Sequence, residues 1–276
     1  MAAKPKTEPH ESDLLVLFEV QNIPPKYREY YKAKRNNFFA SIQGFPEMWR
    51  YYTLLDEIWL REFDDLERAR DPAHLLPLLL YMNAHAKIRV SIELGFSGCL
   101  AEARSILRDA IEFAAHAHGM RQDTKLQNIW LNKDHGEAAL EAFKDAFERH
   151  KKQGLFKGLD ELHRIWGQLS ESGSHANLNA MCDRLAHATT EKDVEFKIKY
   201  TGAEPRMWAM SLFSMLLACY TMERTLFSDY EDRLKLDDAL VDMRAEFERY
   251  KEQIRRTLIV RYQIKPPKAA LRIHTP

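Results

Sequence analysis

Glycine is scarce in this chain, with 10 in 276 residues. That scarcity fits an α-rich protein, as does the abundance of Leu, Ala, Glu, Lys and Arg. Cysteine is scarcer still. Cys99, Cys182 and Cys219 stand far apart and form no CxxC pair, so neither a disulfide framework nor a thiolate metal site is indicated. Reduced thiols on helices suit a cytoplasmic chain. Net charge is also missing, because lysine plus arginine equals aspartate plus glutamate at 41 each. A binder of nucleic acid or of an anionic membrane is more often basic, so nucleic acid is a disfavoured partner and a membrane an excluded one. The first residues form no apolar signal, and no run of about 18 uncharged apolar residues occurs, which predicts a soluble chain. No glycine-rich phosphate loop, HExxH, GxSxG or Glu-x-x-His pair is present. No metal and no cofactor are therefore expected. His116 and His118 are two apart and cannot share a helix face, while His85, His163 and His187 stand alone.

The stretch that organises the rest is 75–120, read as two long helices joined by Gly95-Phe96-Ser97-Gly98. In the second helix Leu100, Ala103, Leu107, Ala110, Ile111 and Ala114 recur at steps of three and four and share one face. Arg104, Arg108, Glu112 and His116 are each four apart and form a polar stripe beside that face. The first helix is harder to read. Apolar and polar residues alternate from Met82 to Leu94, a strand signal, but the apolar stretch is far longer than a usual strand. A helix at the centre of a bundle explains it better.

The remaining chain reads as follows. Residues 1–11 are a polar tail expected to be disordered, and a short helix over 14–21 stops at Pro24-Pro25. Residues 26–43 look helical and carry Tyr27, Tyr30, Tyr31, Arg28, Lys32, Lys34 and Arg35. Such a surface can stack on and neutralise nucleic acid, although a peripheral helix with solvated charges is the plainer reading. Pro46 starts a helix to about residue 69 with an aromatic seam of Trp49, Tyr52, Leu55, Trp59 and Phe63. Helices are expected over 123–132, 135–151 and 159–169. Ser170 to Asn179 is a junction, and Ser174 caps a further helix carrying Leu178, Met181, Cys182 and Leu185. Val194 to Thr201 alternates like a strand and needs a partner, from 260–264, 271–273 or a second copy. Pro205 opens a buried helix to about residue 227. The last helix, 236–262, places Leu240, Met243, Phe247, Tyr250, Ile254 and Leu258 at heptad-like spacing, suited to packing on the bundle or on a partner helix. The prediction is an all-α, single-domain multi-helix bundle over 12–265 built around the 75–120 hairpin. At most one short β element lies near 194–201, and a tail covers 266–276.

Two polar groups stand out: the Arg104, Arg108, Glu112, His116 stripe, and the junction with Ser170, Ser172, Ser174, His175 and Asn177. A neutral His175 near a helix N-terminus suits a base, and Arg108 suits an anion or a developing negative charge. That makes Arg108, Glu112 and His175 the candidate catalytic set and Arg104, His116, Ser174 and Asn177 candidate ligand contacts. The alternative is structural, with Arg108 and Glu112 as a half-buried pair tying the central helix to the junction.

Leu94-Gly95, Ala103, Leu107-Arg108 and Glu112, followed by Leu169-Ser170 and His175-Ala176-Asn177, resemble a recurring pattern of uncharacterised bacterial all-helical proteins. The likeness runs from Met82 to Arg184 and implies a helical bundle. A more remote likeness is to HEPN bundles, many of them ribonucleases with an arginine followed a few residues later by a histidine on one helix. Here Arg108 is followed by His116 and His118 at wider spacing, and Arg184 by His187 at narrower spacing. The leading expectation is a binding or scaffolding role, as a homo-oligomer or with a protein partner through the last helix. Two alternatives are a hydrolase of RNA or another phosphate ester, and a small-molecule sensor with its pocket between the hairpin and the Trp208 helix.

Overall fold

The computed structural model describes residues 24–66, 72–171, 185–189, 194–198, 201 and 204–263. They form an all-α bundle with one small β hairpin. The tails at 1–11 and 266–276, the 14–21 helix and the 174–184 helix lie outside the described residues.

In chain order the helices are α1 (Pro25–Gly44), α2 (Pro46–Leu66), α3 (Pro72–Phe96), α4 (Leu100–Gln122), α5 (Lys125–Leu131), α6 (Glu137–Phe143), α7 (Arg149–Lys152), α8 (Asp160–Leu169), α9 (Pro205–Tyr230) and α10 (Asp238–Tyr262). Proline opens α1, α2, α3 and α9, where its missing N–H costs no helical bond. Asp237 caps α10 by accepting from the Leu240 amide.

The α3–α4 hairpin is the centre. In α3 the helical period prevails over the alternation. Tyr81, Ala84, Ile88, Ile92 and Phe96 are buried at steps of three and four, while Leu79 and Val90 are left exposed. Gly98 makes the turn with φ +80°, a conformation that a side chain would strain. In α4 every residue of the expected apolar face is buried, and Ala103, Ala110 and Ala114 let α3 and α9 approach closely.

Helix α2 packs on α10. Tyr51 stacks on Phe247 at 4.1 Å, with both rings fully buried. Burial of each such side chain contributes about 1.5–3 kcal/mol. Leu240, Phe247, Ile254 and Leu258 of α10 are all buried. Met243 and Tyr250 of the same seam are half-buried against the core, so the heptad-like face packs on the bundle.

Two expectations need correction. The single helix over 135–151 is broken. Helix α6 passes into a π-helical turn over Lys144–Glu148, and His150 and Lys152 in α7 carry positive φ. Gly154 permits the fold-back, since a Cβ there would collide with the Ala146 carbonyl oxygen. Helical periodicity alone does not register this reversal. The strand near 194 forms as β2 (Val194–Ile198), but its partner is β1 (Leu185–Thr189), with Leu185 opposite Ile198 and Thr189 opposite Val194. Leu185 is thus in a strand and not on a helix, while 260–262, from the first expected partner segment, belong to α10. An antiparallel neighbour a short connection away has the lower closure cost.

Candidate functional site

The polar stripe of α4 spans about 18 Å along the helix axis from Arg104 to His116. Its four side chains go to three different places.

The middle pair makes a clamp. Arg108 Nη2 lies 3.0 Å from Glu112 Oε1, and Arg108 Nε donates to Ser170 Oγ at 2.9 Å. Glu112 Oε1 also accepts from Trp166 Nε1 at 2.8 Å, and Oε2 accepts from Lys152 Nζ at 2.7 Å. The Arg108 guanidinium sits 5.2 Å from the Trp166 ring centre, which adds a cation–π contact. Burial alone would raise the Glu112 carboxyl, but the bonds from Lys152 and Trp166 outweigh it and hold the group below its ordinary range. Both Glu112 oxygens are engaged, so the arrangement ties α4 to α7 and α8. It leaves little of this carboxylate for a substrate.

His116 lies one turn further along α4. Its ring packs between Phe143 and Phe147, with centres 6.4 and 4.8 Å away. Its Nδ1 is buried with no hydrogen-bond partner among the described residues. Burial, reinforced by Lys152, pushes its pKa down to about 4, so the ring is neutral at physiological pH. His116 lines a pocket of about 270 Å³ with Asp109, Glu112, Trp130, Lys133 and Lys152.

Arg104 faces a larger groove of about 630 Å³ between α4, α8 and α9. Its Nη2 donates to Ser211 Oγ at 2.7 Å. Arg164 and Gln168 stand on the α8 side, joined by a 3.1 Å hydrogen bond. Met207, Met210, Met215, Ile165 and Leu217 supply the apolar lining, and Glu161 is the one acid among the described residues there.

His175, Ser174 and Asn177 lie outside the described residues. Of the junction, Ser170 is seen, and it meets Arg108. Arg108 and Glu112 are thus brought together, while Arg104 and His116 are separated into different pockets.

Sequence reasoning missed two buried networks. In one, Arg244 of α10 reaches both Glu62 of α2 and Glu223 of α9, and both carboxyls are fully buried. Burial, and then the neighbouring Glu223 carboxylate, push Glu62 up to about 10 against the pull of Arg244. Glu223 is raised as well, chiefly by burial. In the other, Asp229 Oδ1 meets His118 Nδ1 at 2.9 Å and Gln122 Nε2 at 3.0 Å, and Oδ2 accepts from Tyr81 at 2.6 Å. The available signal was a lone acid on an apolar helical face, such as Glu62 between Trp59 and Phe63.

No protein-family model, curated protein or solved structure matches the chain. Among the described residues no helix is long and apolar enough to cross a membrane, and no group of His, Cys, Asp or Glu is arranged to hold a metal ion.

Proposed function

We propose that this chain is a binding protein whose helical bundle takes a small organic anion in the groove between α4, α8 and α9. The observation that carries this reading is Arg104, held by Ser211 at the wall of a methionine-lined groove of about 630 Å³. That volume is ordinary for a small-molecule site, where a mostly apolar lining with a few placed polar groups fixes orientation. Arg104 and Arg164 suit a carboxylate or similar head, and the flexible methionines suit an apolar body of irregular shape. The homo-oligomer expected from the sequence belongs to the same reading and is tested alongside it.

Octanoate serves as a probe, with octylamine as its charge-reversed control. Titration calorimetry should show octanoate binding and no octylamine binding. Arg104→Met should weaken octanoate by about tenfold or more, the loss expected for one charged hydrogen-bonding partner. Equal binding of the two probes, or octanoate binding untouched by the substitution, would overturn the assignment. Native mass spectrometry of the same preparation reads oligomeric state and retained ligand together.

A further inference from the structure

We propose that helix α1 is a docking surface for single-stranded nucleic acid. The inference is independent of the small-molecule groove.

Helix α1 buries no residue fully, although it carries six aromatic or branched apolar side chains. Tyr27 is 60% exposed, Tyr31 56%, Phe39 55% and Tyr30 36%. The tyrosine rings lie close together, with centres 6.4 Å apart for Tyr27 and Tyr31 and 5.5 Å for Tyr30 and Tyr31. Leaving this much ring surface in water forgoes burial that the core gains elsewhere. Unpaired bases are flat π-faces that cover such rings without demanding a sequence.

The charge has the same direction. Lys26, Arg28, Lys32, Lys34 and Arg35 face a single acid, Glu29, on α1, although the whole chain is neutral. Lys26 and Arg28 stand near the helix N-terminus, where the macrodipole is already positive, and no acid occupies the first turn. Cations there oppose the helix dipole, so this end of α1 favours an anionic partner. Beside the rings runs a groove of about 550 Å³ lined on the α1 side by Tyr31, Lys34, Arg35 and Phe39 and on the other by Glu93 and Ser97, where Glu93 pairs with Lys34 at 3.3 Å and Arg35 is exposed. From Tyr27 to Phe38 the helix rises about 17 Å, a length that suits a few nucleotides.

Two other occupants fit less well. A second copy set α1 against α1 would bring like charges together. A lipid surface would want a face of Trp, Phe or Leu, but the exposed large apolar residues of α1 are three tyrosines with polar tips and one phenylalanine.

The test is fluorescence anisotropy of the full chain with labelled oligouridylate, oligothymidylate, a duplex of the same length, and vesicles of phosphatidylserine and phosphatidylcholine. Binding to the single strands should exceed that to the duplex. It should weaken with salt, with a log–log slope of about −3 for roughly four phosphate contacts. Tyr27→Ala with Tyr31→Ala should weaken it about tenfold or more. Lys32→Glu with Arg35→Glu should weaken it and flatten the salt slope. These side chains are exposed, so an unchanged melting curve certifies the fold. A difference between the RNA and DNA strands would tell which source is preferred. The proposal is overturned by no oligonucleotide binding up to about 100 µM, the weak limit of non-specific association. It is equally overturned by binding that ignores both double variants, by a duplex preference, or by vesicle binding in place of oligonucleotide binding.

Discussion

Glu62 and Glu223 share one guanidinium inside the bundle, so two carboxyls compete for a single buried cation. Two neighbouring buried carboxylates cannot both ionise cheaply, and a proton stays on the pair. Glu62 titrates higher in the fold than in the unfolded chain. Its contribution to stability is therefore fully present in acid and is lost as pH rises from the ordinary carboxyl range toward about 10. Glu62→Gln keeps the shape of the protonated acid and cannot ionise. The variant should match the parent near pH 4 and exceed it by about 1–3 kcal/mol at pH 8, read as a rising Tm difference across that range. A Tm below the parent at every pH would contradict the shared-proton account. This network was not legible beforehand, because Arg244 is 182 residues from Glu62 and no local spacing announces the meeting. A single acid on an apolar face looks the same in sequence whether it is buried with a partner or tilted into solvent. His116 failed to show itself for a related reason. Its neighbours along the stripe are polar, yet the aromatic pair that buries it, Phe143 and Phe147, comes from another helix.

At the level of elements, the long helices were readable because each one carries its own boundary chemistry. Pro46 and Pro205 start α2 and α9 where expected, and the apolar period of α4 puts Leu100, Leu107 and Ile111 inside. The failures lie where an element is shaped by a neighbour. The π-helical turn at Lys144–Glu148 and the positive φ of Lys152 deliver that lysine to Glu112 on α4, a contact no periodicity encodes. The clamp should matter most for the elements it fastens. Glu112→Ala removes the acceptor shared by Arg108, Lys152 and Trp166. It should cost about 1–3 kcal/mol, less than a fully buried pair because the group is half-buried. Since the Glu112 carboxyl titrates low in the fold, its contribution is complete above the ordinary carboxyl range and fades as pH falls through it. Hydrogen exchange should speed up in residues 149–169 ahead of α3 and α4. Uniform loss of protection across the bundle, or none, would argue against a local fastening.

At the level of the whole molecule, the described helices share one core, with Cys219 inside it and Cys99 buried at the turn before α4. Burial raises the Cys219 thiol far above its ordinary range, so little thiolate forms even where a reagent enters. In a Cys182→Ser chain, labelling of Cys219 by a disulfide reagent should therefore follow global opening, slow in water and accelerating in step with denaturant unfolding. Fast labelling without denaturant would point to a separately opening α9. The same core is fastened at its rim by helices from far apart in sequence. Tyr51 of α2 is covered by Phe247 of α10, and Arg61 of α2 pairs with Asp237, the cap of α10. During synthesis α2 leaves the ribosome well ahead of that cover. At about 5–20 residues per second, a separation near that of Glu62 and Arg244 means a wait of roughly 10–40 s. Through that interval the newborn α3–α4 hairpin has its local partners while the Tyr51 face of α2 has none, so the nascent chain carries an uncovered aromatic surface that chaperones are built to hold.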